Sequence, residues 1–401
     1  MEKNTSKLMT KREMIDYITN NFDFFENSES LICEEIGDGN INYVFRIRDT
    51  KTNKSLVVKQ SDVLLRSSGR PLDIYRSKIE AEVLKIENKL ILGYVPQVYF
   101  YDEEKALIIM EDISNYKNLR LELLNGNFYS HLSDYLGEFL GKTLIPMTDL
   151  VISRKEKKEN AKKFTNPELC DITEDLVLTE PYFNYKNRNI ITPGLEDYVR
   201  NNLYKNEQLH GEVLKLKDKY QNYSQTLLHG DLHLGSIFVN DNGIKVIDPE
   251  FAFYGPAGYD IGNVWGNLFF PLGYYTVVNN NKEYISQLKS LIVDTIDKTI
   301  SALDQSFDEN VENDFLKNKK FKTYYLKEII SDSFGYGGTE IIRRVVGDAK
   351  VAEVTSVKEL SQRQSLDKLL IEIGTKLIIN RDKYSQGKDV IEEFERIIEK
   401  I

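Results

Sequence analysis

Residues 227–260 constrain the fold of this chain more than any other stretch. Within them, two short apolar runs at 236–239 and 244–247 are joined by an Asn-Asp-Asn-Gly turn, a pattern that predicts a β-hairpin. A hairpin brings whatever precedes its first strand close to whatever follows its second strand. His229-Gly-Asp231 precedes this hairpin, and Asp248-Pro-Glu250 follows it. We therefore expect three carboxylates to share one pocket.

Three such carboxylates repel one another and raise one another's pKa values unless a cation lies among them. A divalent metal bound to a polyphosphate supplies that cation, so the pattern favours a phosphotransferase site. Each residue alone has a simpler interpretation, because Asp-Gly and Asp-Pro pairs are common in turns and a histidine here can be a buried structural residue. The combination of His229-Gly-Asp-x-His233 before the hairpin and Asp248-x-Glu250 after it favours the functional interpretation.

The composition is that of a globular protein in a reducing compartment. Its 401 residues are enough for two cores, and the net charge of −10 argues against general binding to nucleic acids or anionic membranes. Two cysteines make no disulfide framework. The charged N-terminal segment is unlike a secretory signal, and nothing approaches an apolar run of about 18 residues. We expect a cytoplasmic protein that binds neither nucleic acid nor membrane.

The pattern of apolar residues predicts two structural units, residues 1–112 and 113–401. The first has a leading helix at 9–22, a meander of short strands, one main helix at 73–92 and two more strands that complete a five-stranded sheet. The second is mainly helical. Its predicted helices cover residues 130–142, 195–220, 285–304, 321–334, 338–347, 366–379 and 389–400, with another opened by capping residues from Asn166.

Two features of the first unit are typical of a nucleotide site. The turn that contains Gly39, Asn40 and Asn42 can bring backbone N–H groups to a phosphate, although Asn42 replaces the third glycine of G-x-G-x-x-G and an ordinary hairpin turn fits at least as well. Lys59 can point from the third strand toward phosphates, although such a lysine more often extends to solvent. Glu80 is its expected partner, and Glu82 remains possible.

Two further features concern the ligands of such a site. Met110, Glu111 and Asp112 follow an apolar strand at the boundary between the units, where backbone groups could meet an adenine edge or simply form a linker. Arg343 and Arg344 are adjacent on a predicted helix, where one of the two is usually exposed. If that helix faces the cleft, a guanidinium could bind a hydroxyl-rich or phosphorylated substrate bidentately.

In this order along the chain, the motifs resemble those of the protein-kinase-like phosphotransferases, in the branch that contains aminoglycoside and choline kinases. They resemble the 5-methylthioribose kinase family still more closely. The resemblance implies an α+β fold with two lobes, a small antiparallel-sheet lobe with one main helix and a larger, mainly helical lobe. The motifs that carry it begin at Asp38 (DGNINY), Thr165 (TNPELCDITE), His229 (HGDLHLGS), Asp248 (DPEFAFYGP) and Glu340 (EIIRR).

This resemblance implies ATP-dependent phosphorylation of the anomeric C1 hydroxyl of 5-methylthioribose in methionine salvage, by a homodimer. In such a protein Asp231 orients or deprotonates that hydroxyl, and Arg343 and Arg344 bind the sugar. Asp248 and Glu250 hold Mg²⁺ around Pro249. Lys59 contacts the phosphates, which the turn at Asn42 covers, and residues 110–112 lie along the adenine.

The chain departs from the family pattern at two positions. Ser236 replaces the asparagine that protein kinases use for a second metal, which moves that role to Glu250. Arg70-Pro-Leu stands where this family often has Trp-Pro-Leu, which leaves open any aromatic contact there. The alternative functions are a phosphotransferase for another small alcohol, such as an aminoglycoside or choline-like amine, and a pseudokinase scaffold.

Overall fold

The computed structural model describes residues 8–36, 42–63 and 72–400. The chain forms two compact units. Unit 1 comprises Met1–Asn115 together with Lys245–Phe251, and unit 2 comprises Tyr116–Ile244 and Ala252–Ile401. The sequence placed the boundary after residue 112 and assigned every later residue to the second unit. The structure differs because the segment that carries Asp248 and Glu250 returns to the first.

A five-stranded antiparallel sheet forms the centre of unit 1. One face is covered by helix α1 (Lys11–Asn21), which begins with a capping box between Thr10 and Glu13. Apolar side chains of α1 and of alternate strand positions form the core on that face. Helix α2 (Tyr75–Leu90) contacts the last two strands of the sheet in chain order, which lie side by side at one edge. The strands are β1 (Leu31–Glu35), β2 (Tyr43–Asp49), β3 (Ser55–Gln60), β4 (Val98–Asp102) and β5 (Leu107–Glu111), in the order β1-β2-β3-β5-β4.

Unit 2 is mainly helical, and the α+β class predicted from the sequence is confirmed. Its small strands are β6 (Lys117–Asn118), β7 (Thr226–Leu227), β8 (Ile237–Asn240), β9 (Gly243–Val246), whose last residues belong to unit 1, and β10 (Tyr254–Gly255). Its helices are α3 (Leu119–Leu124), α4 (Leu132–Leu144), α5 (Arg154–Lys163), α6 (Pro167–Leu176), α7 (Glu180–Phe183), α8 (Glu196–Val199), α9 (Glu207–Asn222), α10 (Gly258–Asn267), α11 (Phe269–Tyr274), α12 (Lys282–Asn310), α13 (Lys319–Val346), α14 (Ala352–Thr355), α15 (Leu360–Ile379) and α16 (Gly387–Ile398).

Helices α10 and α13 cross with their backbones in close contact. A Cβ atom added at Gly262 would lie 2.6 Å from the backbone nitrogen of Gly337, and one added at Gly266 would lie 2.4 Å from the carbonyl oxygen of Gly337. No real Cβ tolerates such distances, so these positions require glycine. The crossing fixes the side chains that α10 and α13 direct toward each other.

Three predictions about helices were wrong in detail. The two helices expected at 321–334 and 338–347 are one continuous helix, α13, because the glycines between them pack against neighbouring helices. The helix expected at 195–220 is interrupted, and Asn206 caps a new start by accepting from the backbone N–H of Leu209. Asn166 makes no capping hydrogen bond, and its amide donates to the carbonyl of Ala252 instead.

Strands β8 and β9 are neighbours in a three-stranded sheet with order β6-β8-β9, so the hairpin predicted from the Asn-Gly turn is present. In the described part of the chain, no helix combines the length and the apolar character needed to span a bilayer.

Candidate active site

In unit 1, Lys59 is the centre of a buried charged cluster. Side chains alternate along a strand, so Val58 joins the core beneath α1 whereas Lys59 points away from it. The ammonium lies 2.7 Å from Glu80 Oε1 on α2 and 2.5 Å from Asp248 Oδ1. Burial alone would lower the pKa of Lys59, but the surrounding carboxylates outweigh it and raise that pKa. Of the two glutamates considered from the sequence, Glu80 makes this contact.

Asp248 and Glu250 follow β9 and differ in their surroundings. Asp248 has a left-handed backbone conformation, with φ of +64°, and its side chain is 46% exposed. Aspartate tolerates this conformation better than most residues. Glu250 is buried, and burial raises the pKa of its carboxyl against the lowering effect of Lys59 and Arg76. The cluster thus offers one accessible carboxylate and one enclosed carboxylate, two residues apart.

Arg76 is a member of this cluster that sequence reasoning missed. Its Nε lies 3.3 Å from Glu250 Oε2, and its Nη2 donates to Asn42 Oδ1 at 3.1 Å. Asn42 in turn donates to Glu250 Oε2 at 3.3 Å. The sequence contained one indication of this role. Arg76 is three and four positions before Ile79 and Glu80, a spacing that places all three on the same face of α2. The side chain of Asn42 therefore binds Arg76 and Glu250, and its role as a phosphate cover stays a prediction.

The donor atoms of this cluster fit a magnesium ion. Mg²⁺ is commonly held by one or two carboxylates together with phosphate oxygens and water. Asp248 and Glu250 supply two such carboxylates. Within the described residues, no group of three or more His, Cys, Asp or Glu side chains is arranged to hold a metal. A metal here would therefore depend on oxygen atoms from a bound nucleotide.

The remaining nucleotide-binding predictions lie at the edges of this cluster. Gly39, Asn40 and Arg70 fall outside the described residues. Glu111 receives a hydrogen bond from Lys245 Nζ at 2.8 Å, and Asp112 lies 3.1 Å from Arg46 Nε. These ion pairs occupy the side chains, so an adenine contact at residues 110–112 would use backbone groups. That contact, like one to Pro249, stays a prediction.

In unit 2, Asp260 at the start of α10 holds the loop that carries Asp231. Its carboxylate accepts from the backbone N–H of His229 at 2.6 Å and of Gly230 at 3.0 Å. Gly230 has φ of +84°, a conformation that favours glycine. Burial raises the pKa of Asp260 to about 7, against the lowering effect of the two backbone N–H groups. Sequence reasoning gave Asp260 no role, although it closes the motif-bearing stretch.

Asp231 faces three nitrogen-bearing side chains. Arg343 Nη2 lies 3.6 Å and Arg344 Nη2 lies 4.0 Å from Asp231 Oδ1, whereas His233 Nε2 lies 3.5 Å from Oδ2. Burial alone would raise the pKa of Asp231, but His233, Arg343 and Arg344 more than offset it and lower that pKa. The structure thus brings together Asp231 and the arginine pair, and it keeps the carboxylate ionised.

The hydrogen bonds of His233 define its tautomer. Its Nδ1 accepts from the backbone N–H of Ser236 at 3.1 Å, so the ring proton is on Nε2 and is directed at Asp231. Burial lowers the pKa of His233 to about 4, with Arg344 and Arg120 acting in the same direction. His233 is therefore neutral at pH 7. Ser236, at the position of the absent asparagine, donates its hydroxyl to the carbonyl of Asp231 at 3.0 Å.

The two clusters belong to different units. Asp248 and Glu250 lie together in unit 1 with Lys59, whereas Asp231 and the arginines lie in unit 2. The expectation that all three carboxylates share one pocket stays a prediction.

A lysine–carboxylate cluster beside the sheet of unit 1 and a partly exposed aspartate in a His-Gly-Asp loop together define a phosphotransferase. The family described as "Phosphotransferase enzyme family" matches residues 32–275 of this chain. Two curated proteins named methylthioribose kinase align with nearly the whole chain. The one from Geobacillus sp. (strain WCH70) is 37% identical, covering 91% of this chain and 90% of its own. The one from Bacillus velezensis is 38% identical, covering 92% of each.

The chain belongs to the methylthioribose kinase family. Among solved structures, a choline kinase from Cryptosporidium parvum is similar over 98% of this chain and 97% of its own, with 17% identity and a TM-score of 0.49.

Proposed function

We propose that this protein transfers the γ-phosphate of ATP to the C1 hydroxyl of methylthioribose, giving the 1-phosphate in methionine salvage. The observation that carries the proposal is Asp231, a partly exposed carboxylate kept ionised beside two arginines. The membership in the methylthioribose kinase family supports the choice of substrate. A cytoplasmic homodimer is part of the same proposal and rests on that family alone.

The acceptor half of the reaction requires a base and a way to hold a neutral sugar. Asp231 accepts the hydrogen of the attacking hydroxyl and aligns its oxygen with the γ-phosphate. The anomeric hydroxyl suits this base because the ring oxygen stabilises the developing negative charge. His233 Nε2 lies 3.5 Å from Asp231 Oδ2, whereas the other oxygen, Oδ1, is the one that faces the arginines. Arg343 and Arg344 supply donors for the other hydroxyl oxygens of the sugar.

The nucleotide half requires cations to offset the charge of the triphosphate. Lys59 remains protonated among its carboxylates and is held by Glu80, so it is ready to contact the phosphates. Asp248 and Glu250 would hold Mg²⁺. When bound, the metal would neutralise charge on the phosphate oxygens during transfer. Arg76 and Asn42 hold Glu250 in place for that role.

The alternative acceptors are less compatible with the arginine pair. A choline-like or aminoglycoside cation would meet two guanidinium groups beside Asp231, and like charges at this distance repel. The alternative of a pseudokinase scaffold requires the loss of a chemical residue. Lys59, Asp231 and Asp248 are all present.

The test is a coupled ADP-release assay with methylthioribose, ribose, choline and kanamycin as acceptors. We expect turnover with methylthioribose to exceed the others, and the product to resist borohydride reduction because phosphorylation at C1 blocks the reducing end. Preferred turnover of choline or kanamycin would overturn the choice of substrate. A reducible phosphorylated product would overturn C1 as the acceptor position.

A further inference from the structure

Glu340 binds both arginines of the acceptor site with its two carboxylate oxygens. Oε2 accepts from Arg343 Nε at 2.5 Å, and Oε1 accepts from Arg344 Nε at 2.9 Å. Each guanidinium is thus anchored to Glu340 at its Nε, which leaves its Nη2 atom as a separate donor. Those Nη2 atoms are the ones that lie 3.6 and 4.0 Å from Asp231. One carboxylate therefore sets the direction of both guanidinium groups.

This carboxylate is fully enclosed. Glu340 is 0% exposed, and although burial would raise the pKa of its carboxyl, Arg343 and Arg344 lower that pKa well below its ordinary value. A buried charge persists only when partners with good geometry compensate for its lost hydration. Removal of the charge would release the two arginines from their common orientation.

Asn267 provides a second anchor for Glu340. Its Nδ2 donates to Glu340 Oε1 at 3.0 Å and to the carbonyl of Asn263 at 2.8 Å. Its Oδ1 accepts from Arg120 Nη2, and Arg120 Nη1 lies 3.0 Å from Glu353 Oε2. The amide is therefore fixed at both ends. A chain of alternating acceptors and donors connects α3, α10, α13 and α14.

The helix crossing makes this arrangement rigid. Asn267 is on α10 and Glu340 is on α13, the pair of helices that touch through Gly262, Gly266 and Gly337. The same helix α10 carries Asp260, which holds the loop of Asp231. The arginine pair and the acceptor aspartate are thus positioned by the same pair of helices.

The geometry points to Glu340 as a positioning residue for the acceptor sugar, with Asn267 as its anchor. It aims the Nη2 atoms of Arg343 and Arg344 so that neighbouring hydroxyl oxygens of a neutral polyol bind them while a further hydroxyl reaches Asp231. Both oxygens of Glu340 are engaged by the arginines and are not offered to an amine, which favours a polyol over a cationic acceptor. This inference rests on the proposed function.

The experiment compares Glu340→Gln with the wild-type enzyme by steady-state kinetics, varying the sugar and ATP separately. Glu328→Gln is the matched control, because Glu328 is on the same helix and pairs with Lys219 at 3.1 Å at the surface. We expect the KM for the sugar to rise by about 10- to 100-fold, as for the loss of a charge-assisted hydrogen bond. The KM for ATP should change less than about threefold, and Glu340→Asp should restore part of the loss.

An equal rise in both KM values, or an unchanged KM for the sugar, would overturn the role of Glu340. Asn267→Ala provides an independent test if Glu340→Gln does not fold. This variant should raise the KM for the sugar by about three- to tenfold and leave the KM for ATP unchanged. An unchanged sugar KM in Asn267→Ala would count against the inference. Failure of the proposed function is distinguishable, since it would appear as wild-type enzyme that does not phosphorylate methylthioribose. The variants would then be compared on the alcohol that the wild type does accept.

Discussion

The charged clusters of the two units differ in the ratio of carboxylates to cations. In unit 1, three carboxylates (Glu80, Asp248 and Glu250) surround two cations, Lys59 and Arg76. In unit 2, Asp231 and Glu340 face Arg343 and Arg344, and His233 is neutral. The first cluster has more carboxylates than cations, whereas the second has equal numbers of carboxylates and guanidinium groups.

The difference indicates what each cluster can bind. An excess of carboxylate in a buried setting favours the arrival of a cation, which a metal–nucleotide complex brings. A balanced cluster gains nothing from a charged ligand and loses hydration when it accepts one, so it suits a neutral, hydroxyl-rich acceptor. Removal of one charged group from one cluster should therefore impair the binding of that cluster's own ligand and leave the other cluster functional.

The largest effect is expected for Asp231→Asn. The amide keeps the shape of the side chain but cannot accept the hydroxyl proton, so turnover should fall by about 1,000-fold or more. ATP affinity, measured by equilibrium titration, should stay within about twofold because unit 1 is untouched. A variant that keeps a tenth or more of wild-type turnover would remove Asp231 from the chemistry.

Lys59→Met should strongly impair the use of ATP. It removes the contact to phosphates and leaves Glu80 and Asp248 without their cation, so kcat/KM for ATP should fall by about 100-fold and Tm should fall as well. Lys51→Met, at an exposed turn of the same sheet, is the control and should change neither quantity. A normal kcat/KM for ATP in Lys59→Met would show that Lys59 has only a structural role.

Glu250→Gln should act through the metal. If Glu250 is a ligand of Mg²⁺, the concentration of Mg²⁺ that gives half-maximal activity should rise by about tenfold, as is typical when a site loses one carboxylate. Glu82→Gln on α2 should leave that concentration unchanged, since Glu82 is the glutamate that Lys59 does not contact. An unchanged Mg²⁺ requirement in Glu250→Gln would direct attention to another ligand.

Much of unit 1 could be predicted because local rules and tertiary structure agree there. Alternation along β3 places Lys59 away from the core, and the Asn-Gly turn predicts the hairpin ahead of Asp248. The partners Arg76 and Asn42 could not be assigned, because their roles depend on contacts between residues 42, 76 and 250 that no local pattern encodes.

Unit 2 shows the opposite case, in which tertiary packing overrides a local preference. Glycines weaken an isolated helix by about 1 kcal/mol each relative to alanine, and Gly335 and Gly337 lie in the gap between the helices expected at 321–334 and 338–347. The helix continues because its neighbours approach too closely for any side chain. A Cβ atom added at Gly338 would lie 2.4 Å from the carbonyl oxygen of Gly374. Glu340 and the arginine pair all lie within the helix expected at 338–347, so the expected break does not affect their spacing of about one turn.

The smallest effect concerns pH and tests the balance of the unit 2 cluster. The ionised form of Asp231 is the active one, and its lowered pKa means that activity is lost only as pH falls through a value below the ordinary 3.8. Asp231 should therefore contribute no limb to the wild-type profile of kcat/KM for the sugar between about pH 8 and about pH 5. Arg344 contributes to the lowering, so Arg344→Gln should raise the pKa of Asp231 and move the acid limb upward, by about one pH unit at most.

His233 should add no limb in this range, because burial keeps its pKa at about 4. Arg200→Gln, which removes an exposed arginine paired with Asp197, is the control and should leave the profile in place. If Arg344→Gln lowers the height of the profile without moving its acid limb, then Arg344 binds the sugar but does not hold Asp231 ionised. The two clusters would then differ less than their charges indicate, because the ionisation of Asp231 would have to depend on Arg343 and on its hydrogen-bonded loop.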